Sequence, residues 1–366
     1  MTRPTTIALI KGDGIGVDVT DATTVIVDSA IKKMGGTALT YQPIEAGAGL
    51  YQRTGLDIEV SGEERAGDAD AILLGAIGLP SVRRPDGTEI APHLRLRDRY
   101  GLYAGVRPVK AYPNAPQRLA DPRAAGIDLI ILRESTEGLF YSAAVHGRGE
   151  IIGDSEARDI LRITRTTTEK LHNFAFRLAT RRKERGGKGK VTCVDKANVF
   201  NSMAFFRKIF DEIAPMYPSI DHDHAYVDAQ ALNLIRQPWE SDVLVMENMF
   251  GDILSDLGGG LVGGMGMASC AEIGDDHGLF QPAHGTAPDI MGQDKANPLA
   301  AILSGALMLE YLAEKLDDEA YAAAGQTIND AVEKGFSQDR IRPMEFGGDM
   351  GTKAVTKEIL AQIDVA

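Results

Sequence analysis

Short runs of apolar residues alternate along this chain with longer stretches in which apolar residues recur every three or four positions. The short runs predict β-strands at 6–10, 38–44, 71–77, 128–134, 190–195, 224–229 and 242–247. The longer stretches predict helices at 17–34, 156–182, 199–212, 229–236, 298–315, 319–334 and 354–364. Because the two kinds of pattern alternate from end to end, we predict an α/β protein with parallel or mixed sheets covered by helices.

Length and composition narrow the class of protein. The chain has 366 residues, enough for a large core split into two lobes, and its net charge of −13 argues against nucleic-acid binding. Only Cys193 and Cys270 are present, so we expect no disulfide framework and a reducing compartment. No apolar run approaches a signal peptide or a membrane span, so we expect a cytoplasmic protein without a membrane partner.

One acidic pair stands out in the stretch 247–260, which follows an apolar strand and opens a short predicted helix. Asp252 and Asp256 are four residues apart and therefore lie on one helical face. Like charges at this spacing repel each other, and a hard cation between them would relieve the repulsion. Alternatively, Asp252 favours the positive end of the helix dipole and Asp256 is simply solvated. The spacing alone leaves both interpretations open.

Three arginines form a second candidate site. Arg97 and Arg107 lie near Gly and Pro turns, and Arg133 ends a predicted strand. Guanidinium groups are planar forks that hold carboxylates through two hydrogen bonds, so three of them are suited to a di- or tricarboxylate. The alternative is that these arginines form surface ion pairs of little energetic value.

The glycine-rich turn after the first strand is a weaker pattern. Gly12, Gly14 and Gly16 do not have the G-x-G-x-x-G spacing of dinucleotide-binding folds, and such turns are common without any ligand. If a nicotinamide cofactor binds this chain, we expect it to bind outside an ordinary Rossmann crevice.

The order of the motifs resembles the β-decarboxylating dehydrogenases, the isocitrate/isopropylmalate dehydrogenase family. The resemblance covers nearly the whole chain, through KGDGIG (11–16), LR…GVRP (96–108), RESTEG (133–138), VDKANV (194–199), YVDA (226–229), ENMFGDILSD (247–256), HGTAPDI (284–290) and ANP (296–298). It implies a two-lobed fold that is not an ordinary Rossmann fold. Residues 1–102 and 263–366 would form a large, discontinuous cofactor-binding lobe, and 103–262 a small lobe for dimerisation and metal binding.

The resemblance also implies roles for single residues. Asp228, Asp252 and Asp256 match the family's ligands of Mg²⁺ or Mn²⁺, which prefer carboxylate oxygens. The three arginines match those that hold the substrate's carboxylates. Lys196 and Asn198 match a lysine in proton transfer and a neighbour of the nicotinamide. In a homodimer of this family, each subunit supplies Lys196 and Asp228 to the other's site, although singly they could be a surface lysine and a helix N-cap.

The cofactor implied by the resemblance is NAD. His284, Gly285, Asp289, Ile290 and Asn297 match the family's adenosine-binding loop. An acidic residue at 289 accepts hydrogen bonds from a free ribose hydroxyl and would repel the 2′-phosphate of NADP. NADP-dependent relatives carry Lys and Tyr at 289 and 290.

Several positions depart from the family pattern. A tyrosine that protonates the enol usually stands where this chain has Phe140, and a one-residue slip would bring Tyr141 into that role. Gln281 replaces a glutamate near the nicotinamide. In the segment before Arg97, which decides the substrate, we expect Ile90, Ala91, His93 and Leu94 to face the substituent on C3 of the substrate, with His93 as a hydrogen-bond partner.

The predicted reaction is metal- and NAD-dependent oxidative decarboxylation of a (2R)-hydroxy diacid. The first choice of substrate is 3-isopropylmalate, giving 4-methyl-2-oxopentanoate; D-malate or tartrate come next, and isocitrate and homoisocitrate are less favoured because no extra arginine would pair a third carboxylate. Phosphoryl transfer is a rival, but it needs a Lys-Ser/Thr after the glycine turn, which is absent. A ligand-binding regulatory paralogue is the non-enzymatic alternative, motivated by Phe140 and Gln281.

Overall fold

Most of the chain's strands belong to one mixed β-sheet. The computed structural model describes residues 4–142 and 149–365, and within them ten strands form a sheet in the order β2-β1-β3-β12-β11-β4-β5-β10-β8-β9. Two further strands, β6 and β7, form a separate hairpin. The strands are β1 Thr6–Gly12, β2 Thr40–Pro43, β3 Ala71–Ala76, β4 Ala104–Lys110, β5 Asp128–Glu134, β6 Glu150–Ile152, β7 Glu156–Arg158, β8 Lys190–Asp195, β9 Asp221–Tyr226, β10 Val243–Met246, β11 Ser269–Ile273 and β12 Gly278–Pro282.

Helices cover this sheet, so the predicted α/β class with a mixed sheet is confirmed. The α-helices of the described part are α1 Gly16–Met34, α2 Ala48–Thr54, α3 Gly62–Asp68, α4 Pro92–Arg99, α5 Arg165–Glu184, α6 Asn201–Ile213, α7 Val227–Arg236, α8 Asn248–Leu261, α9 Leu299–Leu316, α10 Glu319–Ser337 and α11 Thr352–Val365. None of these helices is long and apolar enough to cross a bilayer.

The two halves of the sheet come from different parts of the chain. Strands β1, β2, β3, β11 and β12 lie within 1–102 and 263–366, whereas β4, β5, β8, β9 and β10 lie within 103–262. The halves meet where β11 pairs antiparallel with β4, with Ala271 opposite Val106 and Glu272 opposite Gly105. The division into two lobes at these bounds stays a prediction.

Several elements differ from the sequence prediction. Strands β4, β11 and β12 are absent from it, and the helix predicted from residue 156 begins at Arg165, because 156–158 pair with β6 in an exposed hairpin. Thr164 caps that helix by accepting a hydrogen bond from the amide of Thr167. The strand predicted at 224–229 ends at Tyr226, so Asp228 lies in the first turn of α7.

The glycine-rich turn supports neighbouring loops. Gly12 has φ of 74°, and a Cβ there would lie 1.9 Å from the carbonyl oxygen of Ala76. The buried carboxylate of Asp13 accepts hydrogen bonds from the amides of Ala48, Gly49 and Gly78, at 2.7, 2.8 and 2.9 Å. The N-terminus of α2 is therefore occupied by a side chain of the protein itself, which explains the glycine turn without a bound phosphate.

Candidate active site

A cleft of about 360 Å³ opens beside the junction of the two halves of the sheet. Its walls come from β3, α4, β4, β5, α8, β12 and the loop after β12. Both charged groups singled out from the sequence line it, namely the arginines Arg97, Arg107 and Arg133 and the acidic pair Asp252 and Asp256. The structure therefore brings together residues that are more than 150 positions apart in the sequence.

The three arginines approach the cleft from three elements. Arg97 lies on α4, Arg107 on β4 and Arg133 near the end of β5, and all three are buried. Strands β4 and β5 pair antiparallel, with Arg107 opposite Ile131 and Arg133 opposite Gly105. Because three buried cations repel one another in a region of low dielectric constant, they need an anionic partner from the protein or from a ligand.

One such partner is Glu272, on β11. Its Oε1 accepts hydrogen bonds from Nη2 of Arg107 at 2.6 Å and forms an ion pair with Nη2 of Arg97 at 3.0 Å. Burial by itself raises the pKa of Glu272, but the charges of Arg107, Arg97 and Arg133 outweigh burial and hold the pKa at about 2. The carboxylate is therefore ionised at neutral pH.

Arg133 is oriented by residues at the start of α8. Oδ1 of Asn248 accepts hydrogen bonds from Nε and Nη2 of Arg133, at 2.9 and 2.6 Å, and Nη1 pairs with Asp252. Nδ2 of Asn248 donates to the carbonyl of Glu137 at 3.0 Å, which fixes the amide. The helix itself begins where the side chain of Glu247 accepts a hydrogen bond from the amide of Phe250 at 2.8 Å.

The acidic pair projects into the same cleft from α8. Asp252 is about half exposed, and Asp256 lies one helical turn further on. Burial and the neighbouring charge of Asp252 raise the pKa of Asp256. The two carboxylates provide oxygen ligands of the kind that Mg²⁺ and Mn²⁺ prefer.

The third predicted metal ligand lies elsewhere in this chain. Asp228 is exposed on α7 and forms an ion pair with Lys196, which lowers the pKa of Asp228. Within residues 4–142 and 149–365, no group of three His, Cys, Asp or Glu side chains is placed to hold a metal ion. Lys196 begins a turn that Asp195 supports by accepting a hydrogen bond from the amide of Ala197 at 2.8 Å.

The predicted cofactor residues follow strand β12. His284 and Gly285 line one end of the cleft; Nδ1 of His284 bonds to the carbonyl of Gly285 at 2.9 Å, and its Nε2 is buried without a partner among the described residues. Asp289 is exposed in a 3₁₀ turn, Pro288–Ile290, that also contains Ile290. Nδ2 of Asn297 donates to Glu345 at 2.9 Å, and Asn198 is exposed in the turn after Lys196.

Phe140 and Tyr141 lie differently relative to the cleft. Phe140 lines it, with its ring 5.0 Å from the guanidinium carbon of Arg133, whereas the ring of Tyr141 lies 3.9 Å from the guanidinium carbon of Arg162, outside the cleft lining. Successive residues of the 3₁₀ turn Leu139–Ser142 point in different directions, so only one of the two rings faces the cleft. The catalytic role of Tyr141 stays a prediction, and this arrangement does not favour it.

The cleft wall predicted to contact the C3 substituent differs in part from the prediction. Ala91, His93 and Leu94 line the cleft together with Glu89, but Ile90 lies in a separate buried cluster with Ala48 and Val82. Ile90 is therefore no part of the wall, because its side chain points away from the cleft. Burial, followed by the charge of Arg97, lowers the pKa of His93 to about 3, so His93 is neutral at physiological pH.

Sequence reasoning missed three residues that position the site. Asn248 orients Arg133, Glu272 binds Arg97 and Arg107, and Asp195 supports the turn of Lys196. A signal was available for Glu272, because a single glutamate inside the apolar run at 269–273 needs a buried partner. Its position opposite Gly105 on β4 places it behind the arginines.

Comparison with known proteins agrees with this geometry. The chain is 38% identical over 358 residues to "3-isopropylmalate/3-methylmalate dehydrogenase" of Methanocaldococcus jannaschii, covering 98% of each chain. It is 38% identical over 340 residues to "3-isopropylmalate dehydrogenase" of Heyndrickxia coagulans, covering 90% of this chain and 89% of the relative.

A solved structure, isocitrate dehydrogenase from Methylococcus capsulatus, superposes with a TM-score of 0.82 at 32% identity, covering 98% of this chain and 99% of the other. Residues 6–363 match the family described as "Isocitrate/isopropylmalate dehydrogenase". The match spans both the arginine cluster and the acidic pair, and relatives with different named substrates share it. The chain therefore belongs to the isocitrate/isopropylmalate dehydrogenase family of decarboxylating dehydrogenases.

Proposed function

We propose that this protein catalyses the metal- and NAD-dependent oxidative decarboxylation of a (2R)-hydroxy diacid. The observation that carries the proposal is a single cleft in which three buried arginines face the pair Asp252 and Asp256. The arginines are suited to the carboxylates of a malate-like acid, and the aspartates to a divalent cation beside its hydroxyl. Membership of the family supports the reaction class.

The chain's own residues would bind and orient the substrate. Arg97, Arg107 and Arg133 hold two carboxylates, which presents the bond between C2 and its hydrogen to the nicotinamide. The partner subunit's Lys196 would take the hydroxyl proton, and a bound NAD would accept the hydride from C2. The resulting keto acid then loses its β-carboxylate.

The residues present fit a hard divalent cation. Asp252 and Asp256 supply carboxylate oxygens from one helical face. Burial and the charge of Asp252 raise the pKa of Asp256, and a cation between the two carboxylates would relieve this repulsion. When bound, Mg²⁺ or Mn²⁺ would polarise the oxygen at C2. The partner subunit's Asp228 would complete the set of ligands.

The residues also fit the adenosine end of NAD. His284 has a buried ring nitrogen that no described residue contacts through a hydrogen bond, and the adjoining Gly285 faces open space, so a flat ring system can approach this loop. Asp289 is exposed at the far end of the same loop. Its carboxylate favours a ribose with free hydroxyls over a 2′-phosphate, because the phosphate would bring like charges together.

A homodimer with shared sites would complete the metal site. The supporting observation is an exposed apolar set on the two helices that carry Asp228 and Asp252, formed by Leu232 and Ile235 on α7 and Ile253 on α8. Their side chains are 52%, 46% and 60% exposed. A second copy of the chain packed on these helices would bury the three apolar side chains and bring two acidic sets together.

The division into two lobes and the cytoplasmic location are also proposals.

The preferred substrate is proposed to carry an uncharged substituent on C3. Ala91 and Leu94 give the cleft wall an apolar part and His93 is neutral, so a third carboxylate facing these three residues would be buried without a cation to pair with. 3-Isopropylmalate is the first choice, in agreement with the names of the two relatives described above. D-Malate and tartrate follow, because a pocket of this kind discriminates by only about 1–3 kcal/mol per methylene.

The test is a panel of substrates assayed with Mn²⁺ and NAD. Reduction of NAD would be followed by absorbance with 3-isopropylmalate, D-malate, tartrate and isocitrate, and kcat/KM compared. We expect 3-isopropylmalate to have the highest value and isocitrate the lowest. The variant Asp252→Asn should fold and lose metal-dependent turnover. Binding of an acid by the wild type without any turnover would favour the regulatory paralogue instead.

A further inference from the structure

The carboxylate of Glu272 lies behind the substrate-binding arginines and is completely buried. Its Oε1 contacts Arg97 and Arg107 at 3.0 and 2.6 Å. The backbone leaves room for it, because a Cβ on Gly105, directly opposite on β4, would lie 2.9 Å from Oε2 of Glu272. Oγ of Ser135 would lie even closer to this Cβ, at 2.6 Å, so Ser135 and Glu272 together require a glycine at 105.

This buried cluster is not fully satisfied within the protein. Oε2 of Glu272, Nε of Arg97 and Nδ1 of His93 are buried without hydrogen-bond partners among the described residues. Ser135 faces the same gap, but its Oγ forms no hydrogen bond with Oε2. A buried ion pair with unfilled hydrogen-bonding capacity contributes little to stability compared with an apolar core. Arg97 lines the cleft, so its unfilled donor capacity is available to an anionic ligand.

Charge decides which ligand that is. Three arginines bring three positive charges, and Glu272 neutralises one of them, so two remain for the substrate. Asp256 and Asp252, which pairs with Arg133 in this structure, also line the cleft, but in the proposed function both face the divalent cation. A dicarboxylate with an uncharged C3 substituent matches the remaining charge, whereas a tricarboxylate exceeds it and buries an unpaired anion.

We propose that Glu272 is a specificity-determining residue that sets the charge of the arginine cluster, so that the cleft selects dicarboxylates over tricarboxylates. The inference rests on the proposed function and deepens it. Glu272 does not line the cleft, so it acts through Arg97 and Arg107 by holding their guanidinium groups and withdrawing one charge from the substrate.

The test compares the binding of D-malate and isocitrate to the full protein with Mn²⁺ and without NAD, by calorimetry. In Glu272→Gln, which keeps the shape and removes the charge, we expect the affinity for isocitrate relative to D-malate to rise about tenfold or more. A structural role would change both affinities together and leave their ratio unchanged, and that result would contradict the proposal. Glu137→Gln is the matched control, because Glu137 is buried and pairs with Arg162, away from Arg97 and Arg107.

Other measurements apply if Glu272→Gln does not fold. If Glu272→Gln does not fold, Glu272→Ser removes the same charge and leaves space for water, and the same rise in the ratio is expected. If neither variant folds, equal binding of isocitrate and D-malate by the wild type contradicts the proposal. A wild type that binds neither acid contradicts the proposed function and this inference with it, whereas an unchanged ratio in a folded variant contradicts only the inference.

Discussion

Lys196 and Asp228 form an ion pair with each other rather than with the acidic pair on α8. Both belong to the half of the sheet formed by 103–262, and Asp228 is exposed. Two residues with expected catalytic roles therefore meet on the surface of one chain, outside the cleft that holds Asp252 and Asp256. This arrangement is the one expected if each subunit supplies them to its partner.

A mixed dimer tests this arrangement directly. Asp228→Asn and Asp252→Asn should each be inactive as homodimers. In a heterodimer purified through two different tags, both substitutions fall in one site and the other site is intact, so we expect about half of the wild-type kcat. The measurement is NAD reduction by the purified heterodimer.

The control is a second heterodimer, for which we expect the opposite result. A subunit that carries both substitutions is paired with a wild-type subunit, so that each shared site receives at least one substitution. We expect almost no activity from this pair. About half of the wild-type activity here, together with none in the first heterodimer, would show that each site is formed within one chain.

Cofactor choice is predicted to depend on the exposed turn after His284. Replacing Asp289 by Lys and Ile290 by Tyr reverses the local charge, so kcat/KM with NADP relative to NAD should rise about tenfold or more. Asp289→Asn, which only removes the charge, should give a smaller rise. A wild type that already prefers NADP would overturn the assignment of NAD.

The acidic pair and the arginine near a strand end could be predicted from the sequence. The spacing of Asp252 and Asp256 on a helix is a local property, and Arg133 lies near the end of a strand with a continuous apolar run. Both predictions required only the periodicity of one element. The family resemblance then joined elements that are distant in sequence.

Strands β4 and β11 escaped prediction for a physical reason. Each interrupts its apolar run with a charge, Arg107 on β4 and Glu272 on β11, and a single charge in a short run argues against burial when it is considered alone. The two charges are buried because they pair with each other across the sheet. Only the pairing of β4 with β11 reveals this compensation, and no local pattern contains it.

The position of the aromatic rings leads to a kinetic prediction. Because Phe140 faces the cleft and Tyr141 lies against Arg162, Tyr141→Phe should keep kcat within about threefold of the wild type. Phe140→Tyr places a hydroxyl in the cleft and should raise the rate at which the enol is protonated to the keto acid, relative to the rate of NADH formation. Both quantities can be measured in one reaction. A large loss of kcat in Tyr141→Phe would restore Tyr141 as the proton donor.

Stability should depend on pH through His172, which is completely buried between helices α5 and α6. Its Nε2 bonds to the carbonyl of Phe206 at 3.2 Å, and its ring contacts the rings of Phe206 and Phe210. Burial lowers the pKa of His172 to about 3 in the folded protein, whereas an unfolded histidine has a pKa of about 6.5. Below the unfolded pKa, the histidine of the unfolded chain binds a proton that the folded chain excludes.

His172 therefore destabilises the fold progressively as the pH falls from the unfolded pKa towards the folded one. Between about pH 8 and pH 5, protonation of His172 in the unfolded chain lowers the free energy of unfolding by about 2 kcal/mol. We expect His172→Phe, which keeps an aromatic ring in the cluster, to lose about 2 kcal/mol less than the wild type over this interval, measured by denaturant titration at both pH values. The control is His222→Gln, at an exposed histidine. Its loss in unfolding free energy between the two pH values should equal that of the wild type. An equal loss in the wild type and His172→Phe would show that His172 accepts a proton in the folded state.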